Sequence, residues 1–440
     1  MDKRNLALIC VAALTFWLFA LAFGTANGYG LRARADAASQ AAAAQVAEPE
    51  PLAAASPADA AAALPAADPL AADGAALPAA ADGQPGLALN CRAAVLIDQG
   101  TGTVLYEMNA DEQMPIASIT KVMTLLLTFE AIHAGRIGYE DYVPISEHAY
   151  GMGGSQIWLE PGEQFTLEQL LKAICVSSAN DAAVAVAEYV GGSEPVFVER
   201  MNARASELGM ENTTFRNACG LDEAGHISTA RDVALMSRAI LNECPEVKNY
   251  TTIWMDTLRG GATQLINTNK LLKRYNGITG LKTGTTGGAG VCISASATRE
   301  GLSLIAVVLG APSSADRFNA ATALLDYGFA SYEAAALPDL SAAPLEIEVA
   351  GGEQAYIRLD YSALPPALLL KKGEGGALSA VVDLPEQAPA PVRKGDTLGT
   401  VTITSGERVL GEYAIAAAEN DPRLEFSGAV WLLLRSLAGV

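Results

Sequence analysis

The segment that decides the fold is GLKTGTTGGAGVCISASATREGLSLIAVVLGA, residues 280–311. It contains three short runs of β-branched and small apolar residues, at 280–285, 291–297 and 302–309, separated by glycine or charged residues. Runs of this kind joined by tight turns predict consecutive antiparallel strands. We therefore expect an antiparallel sheet, one strand of which begins with glycine, lysine and threonine.

The residues on either side of this segment predict another hairpin and a set of helices. Residues 93–106 contain two apolar runs around a glycine-containing turn, which is typical of a β-hairpin. Residues 120–134 leave little polar face and predict a buried helix. Further helices are predicted at 167–176, 181–189, 195–208, 229–242 and 314–330. The order of strands, helices, strands and a last helix indicates a two-lobed α/β (α+β) domain at 91–335, whose sheet is built from both of its ends.

After about Pro338 the hydrophobic period changes to two. Residues 345–349 alternate apolar and acidic side chains, and 401–403 and 409–415 flank a Ser405-Gly406 turn. Short segments of this kind predict a small all-β domain at 338–418, a β-sandwich or a barrel. No catalytic constellation is visible in it.

The first 90 residues differ from the rest in composition. Lys3 and Arg4 precede an uncharged apolar run at 6–23, which is typical of an export signal. The run is long for a cleaved signal and barely long enough to span a bilayer, so 1–35 is either a signal peptide or an N-terminal anchor. Residues 36–90 hold 25 alanines and seven prolines without an aromatic residue, which predicts a disordered linker. It is either a spacer that holds a folded domain away from a membrane or a low-complexity segment without a function.

Charge and composition exclude several classes of function. The chain has 29 basic and 49 acidic residues, a net charge of −20, so we expect no nucleic-acid partner. Five of the six cysteines lie outside the export signal at wide spacings without a C-x-x-C pair, and the three histidines are scattered. We therefore expect no metal and no cofactor. We expect buried free thiols, and the sequence leaves one disulfide as an alternative.

Ser118 and Lys121 are the first candidate catalytic pair. They are three residues apart at the start of the buried helix, and this spacing puts both on one helix face. The free backbone N–H groups and the positive dipole end of a helix N-terminus favour an oxyanion. A desolvated, neutral Lys121 could take the proton of the Ser118 hydroxyl. A capping serine beside a lysine with a solvated head group would give the same pattern, so this motif alone leaves both interpretations open.

Two further motifs follow along the chain. Ser178-Ala179-Asn180 lies at a helix junction, where the hydroxyl could relay a proton and the amide could hold a substrate carbonyl; an ordinary capped turn is the alternative. Lys282-Thr283-Gly284 lies on the first strand of the 280–311 segment. Its small residues would let a substrate backbone approach, and lysine with threonine can bind a carboxylate, although an exposed strand end would look alike.

These three motifs, S-x-x-K, S-x-N and K-T-G in this order, resemble those of the low-molecular-mass penicillin-binding proteins, the serine-type D-alanyl-D-alanine carboxypeptidases with a β-lactamase-like fold. Other segments are similar to that family as well: 153–163, 178–183, 228–232, 267–269 and 280–284. The resemblance covers roughly 91–330 well and the β domain, to about 418, loosely. One departure is Ala179, where the family motif has aspartate or glycine.

The resemblance implies a role for each motif residue. Ser118 attacks the carbonyl between the two D-alanines of a peptidoglycan stem peptide, Lys121 is the general base, and Ser178, with Lys282, returns the proton to the leaving D-alanine. The residues implied in substrate binding are Asn180, Lys282, Thr283, Gly284, Thr285 and Arg317. The backbone N–H groups of Ser118 and Thr285 form the oxyanion hole. Penicillins are expected to acylate Ser118.

The resemblance leaves related activities open. A β-lactamase of the best-known class has an E-x-x-L-N segment after the middle motif, and none is found here. A D,D-endopeptidase or transpeptidase would share the acyl-enzyme. An inactive wall-associated module is the non-enzyme alternative, and the intact motifs argue against it. The expected location is the extracytoplasmic face of the cell membrane or the cell wall. The apolar tail at 424–440, whose one base is Arg435, suggests membrane association as a hypothesis.

Overall fold

The computed structural model describes residues 86–373 and 377–426. The expected signal or anchor at 1–35, the predicted linker up to 85 and the apolar tail from 427 onward lie outside the described residues. Leu87 and Leu89, which the sequence assigns to the linker, pack against an apolar cluster of the first domain. Among the described residues, no helix has the length and apolarity needed to cross a bilayer.

Strands of the first domain lie at both of its ends, as predicted. In chain order they are β1 (Ala93–Asp98), β2 (Val104–Met108), β3 (Tyr142–Val143), β4 (Phe165–Thr166), β5 (Met255–Leu258), β6 (Thr263–Ile266), β7 (Ile278–Thr286), β8 (Gly290–Arg299), β9 (Leu302–Ala311) and β10 (Tyr332–Ala335). Five of them form an antiparallel sheet in the order β2-β1-β9-β8-β7. The sheet predicted from residues 280–311 and 93–106 is confirmed, and β7 is one of its edges.

Helices form the second lobe and cover both faces of the sheet. They are α1 (Lys121–His133), α2 (Glu147–Tyr150), α3 (Leu167–Val176), α4 (Asn180–Gly191), α5 (Glu194–Glu207), α6 (Ala230–Glu243), α7 (Lys248–Thr251) and α8 (Ser314–Ser331). Four short 3₁₀ turns lie at Ala117–Thr120, Pro245–Val247, Arg259–Gly261 and Lys270–Lys273. The five predicted helices and the buried helix at 120–134 are all present.

The central strands divide their side chains between two apolar clusters. Val95 and Ile97 of β1 join a large cluster with the helical lobe, while Ala94 and Leu96 join a second cluster with α8. This follows from the alternation of side chains along a strand, and it explains why β1 is buried on both faces. The sheet is therefore a middle layer between these two clusters, and β7 is the edge strand next to the start of α1.

The pairs β3–β4 and β5–β6 were not predicted. They are two and four residues long and form small two-stranded sheets apart from the central one. Strands this short have too few residues to show a period of two, so tertiary packing and not local sequence sets them.

The second domain is all-β, as predicted. Its strands are β11 (Glu346–Ala350), β12 (Tyr356–Asp360), β13 (Leu368–Lys371), β14 (Leu378–Asp383), β15 (Gln387–Pro389), β16 (Thr397–Ser405) and β17 (Arg408–Ala417). Six of them form one sheet in the order β14-β16-β17-β12-β11-β15. β12 pairs with β11 through its first three residues and with β17 through its last two, and the predicted β-sandwich stays a prediction. The strand pair β10–β13 connects this domain to the first.

Candidate active site

Ser118 lies in the 3₁₀ turn that leads directly into α1. The preceding residue, Ala117, has a φ of 49°, a left-handed conformation that residues with a Cβ adopt rarely. Gly220 packs against this turn so closely that a Cβ would lie 2.0 Å from the Ala117 carbonyl oxygen. The turn therefore has a fixed shape, and it holds a half-buried Ser118 where the helix begins.

Lys121, the first residue of α1, is fully buried directly behind Ser118. Its Nζ donates to Ser118 Oγ at 2.9 Å, to Asn180 Oδ1 at 2.6 Å and to the Cys219 carbonyl oxygen at 2.6 Å. Burial lowers the pKa of Lys121 to about 8, against the opposing influence of Cys219 and Asp181. A large fraction of this lysine is therefore neutral at mildly alkaline pH.

These three partners match the neutral amine. The Asn180 Oδ1 atom and the Cys219 carbonyl can only accept hydrogen bonds, so each takes one N–H of the amine. Ser118 is a hydroxyl and can donate. In the protonated form Nζ donates to all three partners, whereas a neutral amine has two N–H groups for Asn180 and Cys219 and would turn its lone pair towards Ser118 Oγ. The arrangement suits removal of a proton from Ser118.

Ser178 and Asn180 lie at the junction between α3 and α4. Ser178 is nearly buried and has a φ of 63°, so it too is held in the left-handed region. Asn180 bridges two sides of the site, since its Nδ2 donates to the Gly153 carbonyl at 2.7 Å while its Oδ1 accepts from Lys121. The junction thereby joins α1 to the loop around Gly153.

Asp181 organises the loop that follows Gly153. Its buried carboxylate accepts hydrogen bonds from the backbone N–H groups of Ile157 and Leu159 at 3.1–3.2 Å. Asn180 adds a backbone contact from its N–H to the Ser155 carbonyl at 2.6 Å. Asp181 belongs to the family-like segment 178–183, but the resemblance implied no role for it.

The strand β7 forms the opposite wall. Lys282 is buried and its Nζ donates to the Thr283 carbonyl at 2.9 Å, while Thr283 Oγ1 donates to Thr268 Oγ1 at 2.7 Å. A Cβ on Gly284 would lie 3.0 Å from the Ser118 amide nitrogen, so the strand touches the Ser118 turn there. Since β7 is an edge strand, its backbone can accept an extended peptide.

Three basic side chains, those of Lys121, Lys282 and Arg317, are buried in the site. Burial, then the charge of Lys121 and that of Arg317, hold the pKa of Lys282 well below its usual value. Arg317 of α8 donates to the carbonyls of Gly284 at 3.2 Å and Cys292 at 3.1 Å, and burial lowers its pKa to about 10. Its Nε is buried and has no hydrogen-bond partner within 86–373 and 377–426. An anionic group bound among these side chains would stabilise their charged forms.

The structure thus brings most of the candidate residues together. Ser118, Lys121 and Asn180 are in direct contact, and Arg317 joins the β7 residues through Gly284. The structure also adds the carbonyls of Cys219 and Gly153, which the sequence did not indicate. Both are main-chain atoms, which every residue type has, so no side-chain motif identifies them. The nearest signal in the sequence is the glycine that follows each of them, Gly220 and Gly154, both of which adopt a positive φ.

Comparisons with known proteins agree with this geometry. A family described as D-alanyl-D-alanine carboxypeptidase matches residues 79–313, and one described as Penicillin-binding protein 5, C-terminal domain, matches residues 343–423. The chain belongs to the D-alanyl-D-alanine carboxypeptidase family. The resemblance inferred from the three motifs is confirmed, and so is the fold class of a mixed helix and sheet domain followed by an all-β domain.

Individual members of the family are similar along most of the chain. D-alanyl-D-alanine carboxypeptidase DacF of Bacillus subtilis (strain 168) is 41% identical over 355 residues, covering 80% of this chain and 90% of that protein. The crystal structure of penicillin binding protein 5 from Haemophilus influenzae superposes with a TM-score of 0.66 at 29% identity, covering 77% of this chain and 99% of that one. Penicillin-Binding Protein D2 from Listeria monocytogenes, in its ampicillin-bound form, has a TM-score of 0.51 at 35% identity and covers 56% of this chain and 100% of its own. This D-alanyl-D-alanine carboxypeptidase family member is therefore a serine-type carboxypeptidase.

Proposed function

We propose that Ser118 is the nucleophile that removes the terminal D-alanine from peptidoglycan stem pentapeptides through an acyl-enzyme. The observation that supports this most directly is the contact between Ser118 Oγ and the Nζ of the fully buried Lys121, at 2.9 Å. A serine hydroxyl needs a base within hydrogen-bond reach, and a base works best when its pKa lies near the working pH. Lys121, with a pKa of about 8, meets both requirements.

Acylation begins with the addition of Ser118 to the substrate. The Ser118 oxygen adds to the carbonyl carbon between the two D-alanines as its proton moves to Lys121. The carbonyl oxygen becomes an oxyanion, which the backbone N–H groups of Ser118 and Thr285 stabilise. The contact between Gly284 and the Ser118 amide nitrogen supports this assignment, because it puts both backbone segments beside each other.

Collapse of the intermediate breaks the peptide bond. The leaving amine of D-alanine takes the proton from Lys121 through the Ser178 hydroxyl, which is buried two residues before Asn180, the hydrogen-bond partner of Lys121. Water then attacks the ester carbonyl carbon while Lys121 takes its proton, and Lys121 returns that proton to the Ser118 oxygen as the ester bond breaks. The products are free D-alanine and a shortened stem peptide, and Ser118 is regenerated.

The terminal carboxylate of the substrate occupies the cationic side of the site. Arg317 and Lys282 supply charge, and Thr283 and Thr285 supply hydroxyls close to the edge of β7. Pairing with an anion would offset the burial that lowers the pKa of both cations. The peptide backbone lies along the edge strand β7, and Asn180 positions the amide.

Penicillins are proposed to acylate the same Ser118. The Listeria penicillin-binding protein with this fold has been crystallised with ampicillin. The strained ring carbonyl of a penicillin would occupy the place of the substrate carbonyl, and its carboxylate would contact Lys282 and Arg317. The buried cationic site is the feature that supports this proposal.

We further propose that the protein acts outside the cytoplasm. The basic start and apolar run at 1–35 support export, and the apolar tail from 427 supports attachment to the membrane. Comparing membrane retention of the full chain with that of a chain ending at 426 would test the tail. Equal retention would count against it.

The experiment for the nucleophile uses the full chain and a stem pentapeptide. We expect D-alanine release, covalent labelling by a fluorescent penicillin, and loss of both in Ser118→Ala. Ser177→Ala is the matched control, because its hydroxyl donates to Ala173 within its own helix at 3.0 Å. Labelling that persists in Ser118→Ala would refute the assignment. Running a cross-linked peptide in parallel separates carboxypeptidase from endopeptidase activity.

A further inference from the structure

A second cluster of reactive side chains lies at the far end of α1. His133 is the last residue of that helix, and Lys121 is the first, so the two are about 18 Å apart along the axis. His133 meets Cys244 and Glu246, which follow the end of α6. One donor atom from each, the histidine nitrogen, the thiol sulfur and a carboxylate oxygen, lies within 4.8 Å of the other two.

We propose that His133, Cys244 and Glu246 form a binding site for a zinc ion or a similar borderline-soft divalent cation. Nitrogen, sulfur and one oxygen are the donors that zinc takes in proteins, whereas calcium and magnesium take oxygen alone. Three protein ligands leave a fourth position for water. This site is separate from the proposed catalytic one and does not depend on it.

The distances are close to those that a bound ion requires. Zinc ligands at about 2.0–2.3 Å from the metal lie roughly 3.3–3.7 Å from one another in a tetrahedron. The His133 Nε2 and Glu246 Oε1 atoms are 2.5 Å apart, and the widest donor separation is at most 4.8 Å. Movements of about 1 Å would be enough, and the half-exposed His133 side chain is able to make them.

The local field favours a cation at this position. The C-terminal ends of α1 and α6 meet here, and each contributes the negative end of a helix dipole. The carboxylates of Glu130 and Glu243 also act on the Cys244 sulfur, partly balanced by Arg204, which forms ion pairs with both. Added positive charge is therefore stabilised by the fold itself.

Backbone geometry holds two of the ligands in place. Cys244 is the C-cap of α6 and is fully buried, and its N–H donates to the Ile240 carbonyl. Pro245 follows and starts a 3₁₀ turn that contains Glu246. Proline restricts the backbone between Cys244 and Glu246, so the half-exposed His133 side chain is the ligand that moves, by turning slightly away from Glu246 to make room for the ion.

The sequence could not indicate this site. His133 and Cys244 are 111 positions apart, and zinc sites are recognised in sequence by close pairs of ligands. Only the packing of α1 against α6 makes them neighbours.

The test is zinc binding by the purified, chelator-treated full chain. We expect one equivalent of Zn²⁺ by calorimetry and, with Co²⁺, a thiolate-to-cobalt charge-transfer band. His133→Gln and Glu246→Gln should each weaken binding at least about tenfold, and Cys244→Ser should remove the band. A rise in the unfolding midpoint with added zinc, absent in His133→Gln, would support a site in the folded state.

A matched control is available in His148. Its Nε2 lies 2.7 Å from Glu194 Oε2, so it forms a histidine–glutamate pair of the same kind. His148→Gln should leave zinc affinity unchanged. Because Cys244 is buried, His133→Gln decides the case if Cys244→Ser fails to fold. Absence of one-equivalent binding, or equal affinity in His133→Gln and the unaltered protein, would overturn the proposal and leave an ordinary ion pair.

Discussion

Gly284 of β7 touches Ser118 so closely that a side chain at 284 would lie 3.0 Å from the Ser118 amide nitrogen. The same Cβ would lie 2.9 Å from the Ile116 carbonyl oxygen, which is backbone and cannot turn aside. The strand and the nucleophile turn are thus held at a spacing that only glycine allows. The width of the proposed oxyanion hole depends on this contact.

The first prediction concerns this spacing. Gly284→Val should push β7 away from the Ser118 turn and lower the rate of penicillin acylation by about 10²–10³-fold, the cost of losing one oxyanion-hole donor. Gly287→Ala is the matched control in the same hairpin, because a Cβ there has no atom within 4 Å. Stopped-flow measurement of acylation would check both. Equal rates in the two variants would remove Gly284 from the argument.

The second prediction is the pH dependence of acylation. Lys121 acts as a base only when it is neutral, and burial brings its pKa down to about 8. The acylation rate constant should therefore rise about tenfold per pH unit below 8 and level off above it. Lys121→Arg keeps a positive charge at all these pH values. The acylation rate constant of this variant should therefore fall by about 10²–10⁴-fold and should no longer depend on pH in this range. The rise should be visible between about pH 6 and 8. An acylation rate constant that does not change over this range would contradict the role of Lys121 as the base.

Local patterning predicts the sheet and the main helices well. The apolar runs at 280–285, 291–297 and 302–309 became β7, β8 and β9, and the apolar stretch at 120–134 became α1. Helical periodicity also placed Lys121 beside Ser118, because residues three apart share a face. These features depend on near neighbours, which a sequence displays directly.

What local patterning misses depends on distant backbone. The Cys219 carbonyl reaches Lys121 across 98 positions, and the Gly153 carbonyl reaches Asn180 across 27. Burial, which sets the pKa of Lys121, likewise results from the whole helical lobe. Motif order alone suggests that such residues meet, but it does not give their partners or their ionisation.

The third prediction concerns recognition of the substrate terminus. Arg317 has a buried Nε without a hydrogen-bond partner in the described part of the chain, and its Nη1 is anchored to Gly284 and Cys292. Arg317→Leu should raise KM for a peptide ending in a free carboxylate by about tenfold or more, and it should leave a C-terminal amide almost unaffected. Steady-state kinetics with the two peptides would measure the ratio. If KM rises equally for both peptides, Arg317 supports the fold and does not bind the carboxylate.

The last prediction separates positioning from chemistry at Asp181. This carboxylate accepts from the backbone N–H groups of Ile157, Leu159 and Ala182 while almost fully buried. Asp181→Asn keeps the size but turns an amide N–H₂ towards one of those donors, so at least one buried hydrogen bond is lost at about 1–3 kcal/mol. For a domain of this size the unfolding midpoint should fall by a few degrees, about 2–4 °C per kcal/mol.

The effect on catalysis should follow from the loop and not from Lys121. Displacing 155–159 should raise KM for the stem peptide. The pH at which acylation levels off should fall only slightly below 8, because burial is the main cause of the Lys121 pKa shift and the Asp181 charge is the smallest of those that oppose it. Asp141→Asn is the matched control, because Asp141 accepts from Gly138 N–H and the Tyr189 hydroxyl away from the site, so its KM should not change. A shift of the pH profile in Asp181→Asn without a change in KM would instead make the Asp181 charge a direct determinant of the base.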